Sequence, residues 1–322
     1  ADFGRMEKRN SLKRKDGFMK QILIGGKIPA SAISLGCMRI SGMSKKDAEK
    51  LLRTAIDEGI NFFDHADIYG GGKSEEVFAD ALSDTPSLRD KILIQSKCAI
   101  HDGIYDFSKE HILKSVEGSL KRLKTDHLDF LLLHRPDTLM EPEEVAEAFS
   151  QLKSSGKVLH FGVSNQKPLQ MELLNRCLDE KLLVNQLQLS LCHTGMMDSG
   201  LNVNMQIDRA RDLDGSVLEY CRLNQVTIQA WSPFQYGFFE GVFIGSEKFP
   251  ELNKALDRLA EQYNVTPSAI AIAWILRHPA KIQAILGTTN VQRVKDICKA
   301  SEVELTRMEW YELYKAAGNQ LP

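Results

Sequence analysis

From about residue 21 almost to the C-terminus, short apolar runs alternate with amphipathic stretches, the signature of a parallel sheet covered by helices. Eight runs read as strands: 32–36, 61–64, 92–97, 128–134, 160–164, 184–189, 227–230 and 283–286. The first helical stretch has Ser44 as N-cap with Asp47 three residues on. Its stripe is Ala48, Leu51, Leu52, Ala55 and Ile56, and Gly59 stops it. Ser108 opens another stripe through Ile112, Val116, Leu120 and Leu123, while Val145, Ala148, Phe149 and Leu152 precede a stop at Gly156. Two helices, near 251–263 and 267–277, separate the last two strands, the second with Thr266 as cap and Pro267 at its first position. Thr306 with Glu309 caps a C-terminal helix. Ahead of the series, 21–24 returns as 27–29 through Gly25-Gly26, a pair suited to a tight hairpin turn.

Eight βα units either close into a barrel or spread as a doubly wound sheet. The open sheet calls for a G-x-G-x-x-G fingerprint, which none of the 22 glycines completes. Gly72-Lys73-Ser74 looks like the end of a phosphate loop, but Asp67 holds the place of its leading glycine. The expected fold is α/β: a (β/α)8 TIM barrel with an N-terminal hairpin and extra C-terminal helices, one domain over 21–322. Residues 1–20 carry seven basic and three acidic side chains with few apolar anchors. They read as a flexible basic leader, in part a cloning remnant.

Composition narrows the function classes. Of the 322 residues, 43% are hydrophobic and 26% charged, an ordinary globular mixture that supports a sizeable core. Lys and Arg number 41 against 43 Asp and Glu, a net charge of -2 that attracts neither nucleic acid nor an anionic membrane. No apolar run approaches the roughly 20 residues of a membrane span, so a soluble, cytoplasmic protein is expected. The six cysteines, Cys37, Cys98, Cys177, Cys192, Cys221 and Cys298, form no C-x-x-C pair and read as free thiols, and no metal site is expected.

In a βα barrel the chemistry sits at the C-terminal ends of the strands. The second strand ends Phe62-Phe63-Asp64, with Tyr69 five residues on and Gly70, Gly71 and Gly72 behind it. The third ends at Lys97 and the fourth at His134. A lysine on an apolar strand needs a carboxylate to compensate its burial, and Asp64 on the neighbouring strand is at the right level. Beside Tyr69, the ammonium is expected to lower the phenol's pKa and make it a usable proton donor and acceptor. His134 is expected to hydrogen-bond a substrate oxygen.

These strand ends carry a resemblance to the aldo-keto reductases. It rests on Asn61-Phe62-Phe63-Asp64-His65-Ala66-Asp67-Ile68-Tyr69-Gly70, Ser96-Lys97-Cys98, Leu133-His134-Arg135-Pro136-Asp137, Gly162-Val163-Ser164-Asn165 and Trp231-Ser232-Pro233, one per strand in the family's order. The resemblance implies NADP(H) as cofactor and reversible reduction of an aldehyde or ketone to an alcohol. It implies Tyr69 as general acid, Lys97 and Asp64 tuning it, and His134 orienting the carbonyl. Ser164, Asn165 and Gln186 offer amide and hydroxyl groups for a nicotinamide carboxamide, and Trp231 an aromatic plate for its ring. Cys37, Met38, Asp64, Ser232, Pro233 and Phe234 join the implied cofactor set. Gly287, Thr288 and Thr289 run into the helix bearing Arg293, an anion site suited to the adenosine 2′-phosphate. Many members carry a lysine where Gly287 stands, so the preference for NADP over NAD is expected to be less steep here.

Two other classes fit part of the pattern. A Schiff-base aldolase would use Lys97 as nucleophile, but pairing with Asp64 raises the lysine pKa when a nucleophile needs it lowered. A non-catalytic cofactor-sensing subunit of the same fold generally has another residue at His134. A metal hydrolase lacks H-E-x-x-H here. Three rim loops stay without a role: 194–215, the aromatic stretch 235–249, and the loop around His101 and Tyr105.

Overall fold

The computed structural model describes Lys13, Arg14 and residues 17–322, so the expectation for the leader falls largely outside the described residues. The eight strands close a parallel barrel: β1 (Ile33–Gly36), β2 (Phe62–Asp64), β3 (Leu93–Cys98), β4 (Leu128–Leu133), β5 (Val158–Ser164), β6 (Val184–Gln188), β7 (Thr227–Trp231) and β8 (Gln283–Leu286). Each pairs with its sequence neighbour, and β8 returns to β1, with Ala284 opposite Ile33 and Leu286 opposite Leu35. The (β/α)8 barrel expected from the alternation is the one observed.

Caps and apolar stripes place the outer helices as the sequence predicts. Helix α1 (Lys45–Asp57) begins where the Asp47 N–H donates to Ser44 Oγ at 3.2 Å, and buries Ala48, Leu51, Leu52 and Ala55. Then come α2 (Lys73–Leu82), α3 (Lys109–Leu123), α4 (Pro142–Ser154), α5 (Pro168–Asn175) and α6 (Val217–Leu223). After β7 the chain makes α7 (Pro250–Tyr263) and α8 (Pro267–Leu276) before re-entering the barrel. Helix α8 is buried around almost its whole circumference, from Ala269 to Leu276, because α7, α9 (Val291–Cys298) and the barrel all pack on it. Helix α10 (Arg307–Ala316) starts with the Thr306–Glu309 capping box, and Trp274 and Trp310 stack 4.8 Å apart to bind it to α8. The N-terminal hairpin, Gln21–Ile24 with Ile28–Ser31, lies ahead of β1.

Two of the unassigned stretches are more ordered than expected. Residues 194–215 contain a short helix, Gly195–Leu201, tied to the C-terminus: Asp198 accepts from Tyr314 Oη at 2.6 Å and Arg209 Nη1 at 2.8 Å. In the aromatic stretch, Gln235–Tyr236 pairs with Gly241–Val242 as a hairpin, and Phe243 is fully buried. Among the described residues no helix is long and apolar enough to cross a membrane.

Candidate active site

The C-terminal ends of β2, β3 and β4 bring four side chains together. Lys97 Nζ donates to Asp64 Oδ2 at 2.8 Å, to the His65 carbonyl at 2.8 Å and to Tyr69 Oη at 3.1 Å. Lys97 is fully buried and Asp64 nearly so. The His134 ring meets the Tyr69 ring edge-on, with centroids 5.9 Å apart. Tyr69 reaches this position from a turn whose next three residues, Gly70, Gly71 and Gly72, all have positive φ. A side chain at Gly72 would meet Arg122 Cδ at 2.7 Å, so this turn needs glycine for both conformation and space.

The electrostatics follow from burial. Burial works against the Lys97 ammonium, but Asp64 and Tyr69 more than offset it, and its pKa rises. The Tyr69 phenol departs from the expected direction. Burial pushes its pKa up, the Lys97 ammonium pulls it down, Asp64 pushes it up again, and the net shift is upward. Desolvation of the phenolate outweighs one ammonium that is already neutralised by a carboxylate. Tyr69 is therefore a protonated hydrogen-bond donor at neutral pH. His134 is held neutral, its pKa driven well down by burial and by the Lys97 and Arg135 charges, and its Nδ1 is buried without a partner among the described residues.

Beneath this cluster lies a polar ladder of four glutamines, of which strand-end reading singled out only Gln186. Asp64 Oδ1 accepts from Gln95 Nε2 at 2.6 Å and Gln186 Nε2 at 3.0 Å. Both amides also donate to Gln229 Oε1, Gln229 donates to Gln283, and Gln283 donates to the Ser31 carbonyl at 2.7 Å. These glutamines are buried on four strands and hold the carboxylate by hydrogen bonds as well as charge. Glutamine within an apolar strand was the available signal; only closure of the barrel makes the four face one another.

A second buried network stands behind the Tyr69 turn. Glu75, fully buried, accepts from Ser96 Oγ at 2.6 Å and Arg122 Nε at 2.7 Å. Burial and the nearby Glu75 charge push Asp67 up to about 6. A carboxyl whose folded pKa exceeds its unfolded value binds more protons in the folded state, so its contribution to stability is lost as pH rises from about 4 through about 6. Asp67→Asn is expected to remove that loss, worth on the order of 2 kcal/mol at neutral pH after allowing for partial exposure. Urea unfolding of parent and variant at pH 4.5 and 7.5 checks it: the variant should gain on the parent at the higher pH, and an unchanged difference would refute the assignment.

A cavity of about 730 Å³ extends from Tyr69 and His134 past Ser164, Asn165, Gln186 and Trp231 to Gly287, Thr288, Thr289 and Arg293. Met38, Asp64, Ser232, Pro233 and Phe234 also line it; Cys37 does not. The Cys37 thiol is buried and donates to the Leu35 carbonyl at 3.7 Å, while Met38 beside it lines the cavity. Phe239, from the aromatic stretch 235–249, lines it too, and lining residues the sequence did not suggest include Arg39, Ile68, Ile100 and Ser268.

The lining suits a dinucleotide with a carboxamide at one end and phosphates at the other. Ser164 Oγ donates to the Gln186 carbonyl and accepts from Asn165 Nδ2, so these groups hold one another and keep acceptor capacity. Gln186 Oε1 takes no hydrogen bond among the described residues, which leaves an acceptor aimed by its own amide's two donations. Trp231 is fixed by donating to Asn165 Oδ1 at 3.2 Å, with Phe239 stacked against it and Arg135 over its ring at 5.8 Å. At the far end, Asn290 Oδ1 caps Arg293 N at 2.9 Å, and Thr288, Thr289, Asn290 and Arg293 line the cavity at the start of α9.

The aldo/keto reductase family model matches residues 32–317. The oxidoreductase YdhF of Escherichia coli (strain K12) is 37% identical over 290 residues, covering 87% of this chain and 91% of its own. A 6-dehydroglucose reductase of Agrobacterium fabrum is 36% identical over 313 residues, covering 93% and 98%. The crystal structure of an aldo-keto reductase from Klebsiella pneumoniae in complex with NADPH is similar with a TM-score of 0.75 at 26% identity, covering 94% of this chain and 96% of that one. Barrel, strand-end cluster and sequence agree, and the chain belongs to the aldo/keto reductase family.

Proposed function

We propose that this oxidoreductase reduces an aldehyde or ketone to an alcohol with NADPH. The observation that carries the reading is a protonated phenol, Tyr69 Oη, held by a buried ammonium at the edge of a dinucleotide-sized cavity. Bound in that cavity, NADPH supplies the hydride for the carbonyl carbon. The chain's own residues manage the oxygen. Tyr69 donates its Oη proton to the carbonyl oxygen, and the Lys97 ammonium stabilises the phenolate left behind. Asp64 keeps Lys97 charged and in place. A neutral His134, in the tautomer that carries its proton on Nε2, would offer that N–H to the same oxygen and set its angle.

Gln186, Ser164 and Asn165 would hold the carboxamide, and Trp231 the ring. Thr288, Thr289, the start of α9 and Arg293 would hold the 2′-phosphate. The Schiff-base alternative loses ground on geometry. Each of the three Lys97 N–H groups has an acceptor, and a raised pKa leaves no lone pair for attack.

The test is a fluorescence titration with NADPH and NADH, followed by absorbance at about 340 nm with a carbonyl panel that includes 6-dehydroglucose, after the Agrobacterium relative's name. NADPH is expected to bind more tightly and to be consumed. Arg293→Ala should weaken NADPH by roughly 2 kcal/mol and NADH much less, because only the phosphate dianion uses the guanidinium. Equal loss of both cofactors would move the phosphate elsewhere, and binding of neither would end the reductase reading.

A further inference from the structure

Between β3 and α3 the chain makes a rim hairpin, Ile100–His101 paired with Ile104–Tyr105, whose return leads to Asp106. It lies against His111 in the first turns of α3. One ligand atom each from His101, Asp106 and His111 lies within 4.8 Å of the others, and the two imidazole rings are 4.3 Å apart. We infer that these three side chains form a site for a divalent transition metal, with Zn²⁺ as the ion their chemistry favours, outside the catalytic cavity.

The donor set selects the class of ion. Two imidazole nitrogens and one carboxylate oxygen suit Zn²⁺ and its neighbours in the first row, whereas Mg²⁺ and Ca²⁺ prefer all-oxygen sites. With metal–ligand bonds of about 2.0–2.2 Å, tetrahedral donors sit roughly 3.3 Å apart. His101 Nε2 and Asp106 Oδ2 are already 3.0 Å apart, so only His111 has to close on them. A fourth position remains for water.

The surrounding groups act as outer partners that orient ligands. His101 Nδ1 faces Asp102 Oδ2 at 3.0 Å, a carboxylate–imidazole pair that leaves Nε2 for the ion. Asp106 Oδ1 is taken by the Ser108 N–H at 2.8 Å, which turns Oδ2 inward. His111 Nε2 meets Ser115 Oγ at 3.3 Å. Thus each candidate ligand has one polar atom held by a neighbour.

Backbone anchors keep the hairpin in register with α3. Asp106 N donates to the Ala99 carbonyl at 3.2 Å and Phe107 N to Asp137 Oδ2 at 2.9 Å. Ala99 and Asp102 hold positive φ, at 85° and 48°, an arrangement that costs energy and needs compensation from its surroundings. The carboxylates of Asp102 and Asp106 favour a cation here, and Lys114 opposes one. None of the three ligands lines the cavity, but Ile100, next to His101, does. The ion would therefore clamp the rim rather than take part in the chemistry.

The experiment uses the full chain, stripped with a chelator and titrated with Co²⁺ and then Zn²⁺. The expected result is one ion per chain, visible Co²⁺ absorption of a four-coordinate site, bleaching of that absorption by Zn²⁺, and a higher Tm with Zn²⁺. His111→Ala and Asp106→Asn should each weaken binding at least about tenfold, and Asp102→Asn roughly tenfold through the outer partner. In chelator the three variants should melt with the parent, which separates lost ligation from lost folding; Asp106→Asn, closest in shape, keeps the comparison if His111→Ala melts early. Absence of Co²⁺ absorption in the parent, or binding that survives all three variants and disappears on blocking the cysteines, would overturn the site.

Discussion

Tyr69→Phe is expected to lower kcat by about 10²- to 10⁴-fold, the range for loss of a positioned general acid, with NADPH affinity nearly unchanged. The phenyl ring keeps its packing against His134, and only the hydroxyl that Lys97 contacts is lost. The effect therefore belongs on turnover rather than on cofactor binding. The upward shift of the phenol adds a pH expectation. Reduction needs Tyr69 protonated, so the parent should hold its reductive rate across neutral pH and lose it only on the alkaline side. Steady-state kinetics with separate cofactor titrations decide the matter. A Tyr69→Phe enzyme with parental turnover would remove the mechanism.

Lys97→Met should act on stability and chemistry together. It leaves Asp64 buried with two amide donors but no counter-charge, and breaking one side of a buried ion pair costs about 3–5 kcal/mol. Because the ammonium pulls the Tyr69 pKa down, its removal should move the alkaline limb of the rate profile further up and lower turnover. The double variant Asp64→Asn, Lys97→Met removes both charges and should recover part of the lost stability without recovering activity. Urea unfolding gives the first result and the pH–rate profile the second. Full stability in Lys97→Met would mean that the glutamine ladder alone supports the carboxylate.

Much of the fold was readable because its rules are local. Ser44, Ser108, Thr266 and Thr306 cap helices through contacts within three residues, and each cap appears at the expected place. Strand limits were off by one or two residues, as at Leu93–Cys98 and Val158–Ser164, because pairing with the neighbouring strands decides where each ladder begins and ends. The helix Gly195–Leu201 was not legible. It depends on Asp198 meeting Tyr314, more than a hundred residues away, and no local pattern announces that contact.

The structure brings Asp64, Tyr69, Lys97 and His134 together, as their places at the strand ends led one to expect, for a related reason: strand order and the level of each residue are sequence properties once the barrel closes. Of the adjacent pair Cys37 and Met38, which the sequence treats alike, only Met38 lines the cavity, a difference of local conformation that residue identity does not carry.

The sequence by itself determined the βα repeat, the capped starts of the outer helices and which ionisable groups stand at the barrel mouth, because spacing and capping act over a few residues. Only the tertiary structure decided the direction of the Tyr69 shift, since that is a balance of burial against charges on other strands. It alone assembled the glutamine ladder under Asp64 and brought His111 beside His101 and Asp106. Hydrogen bonds and desolvation depend on distances across the folded barrel, and no linear pattern carries those distances.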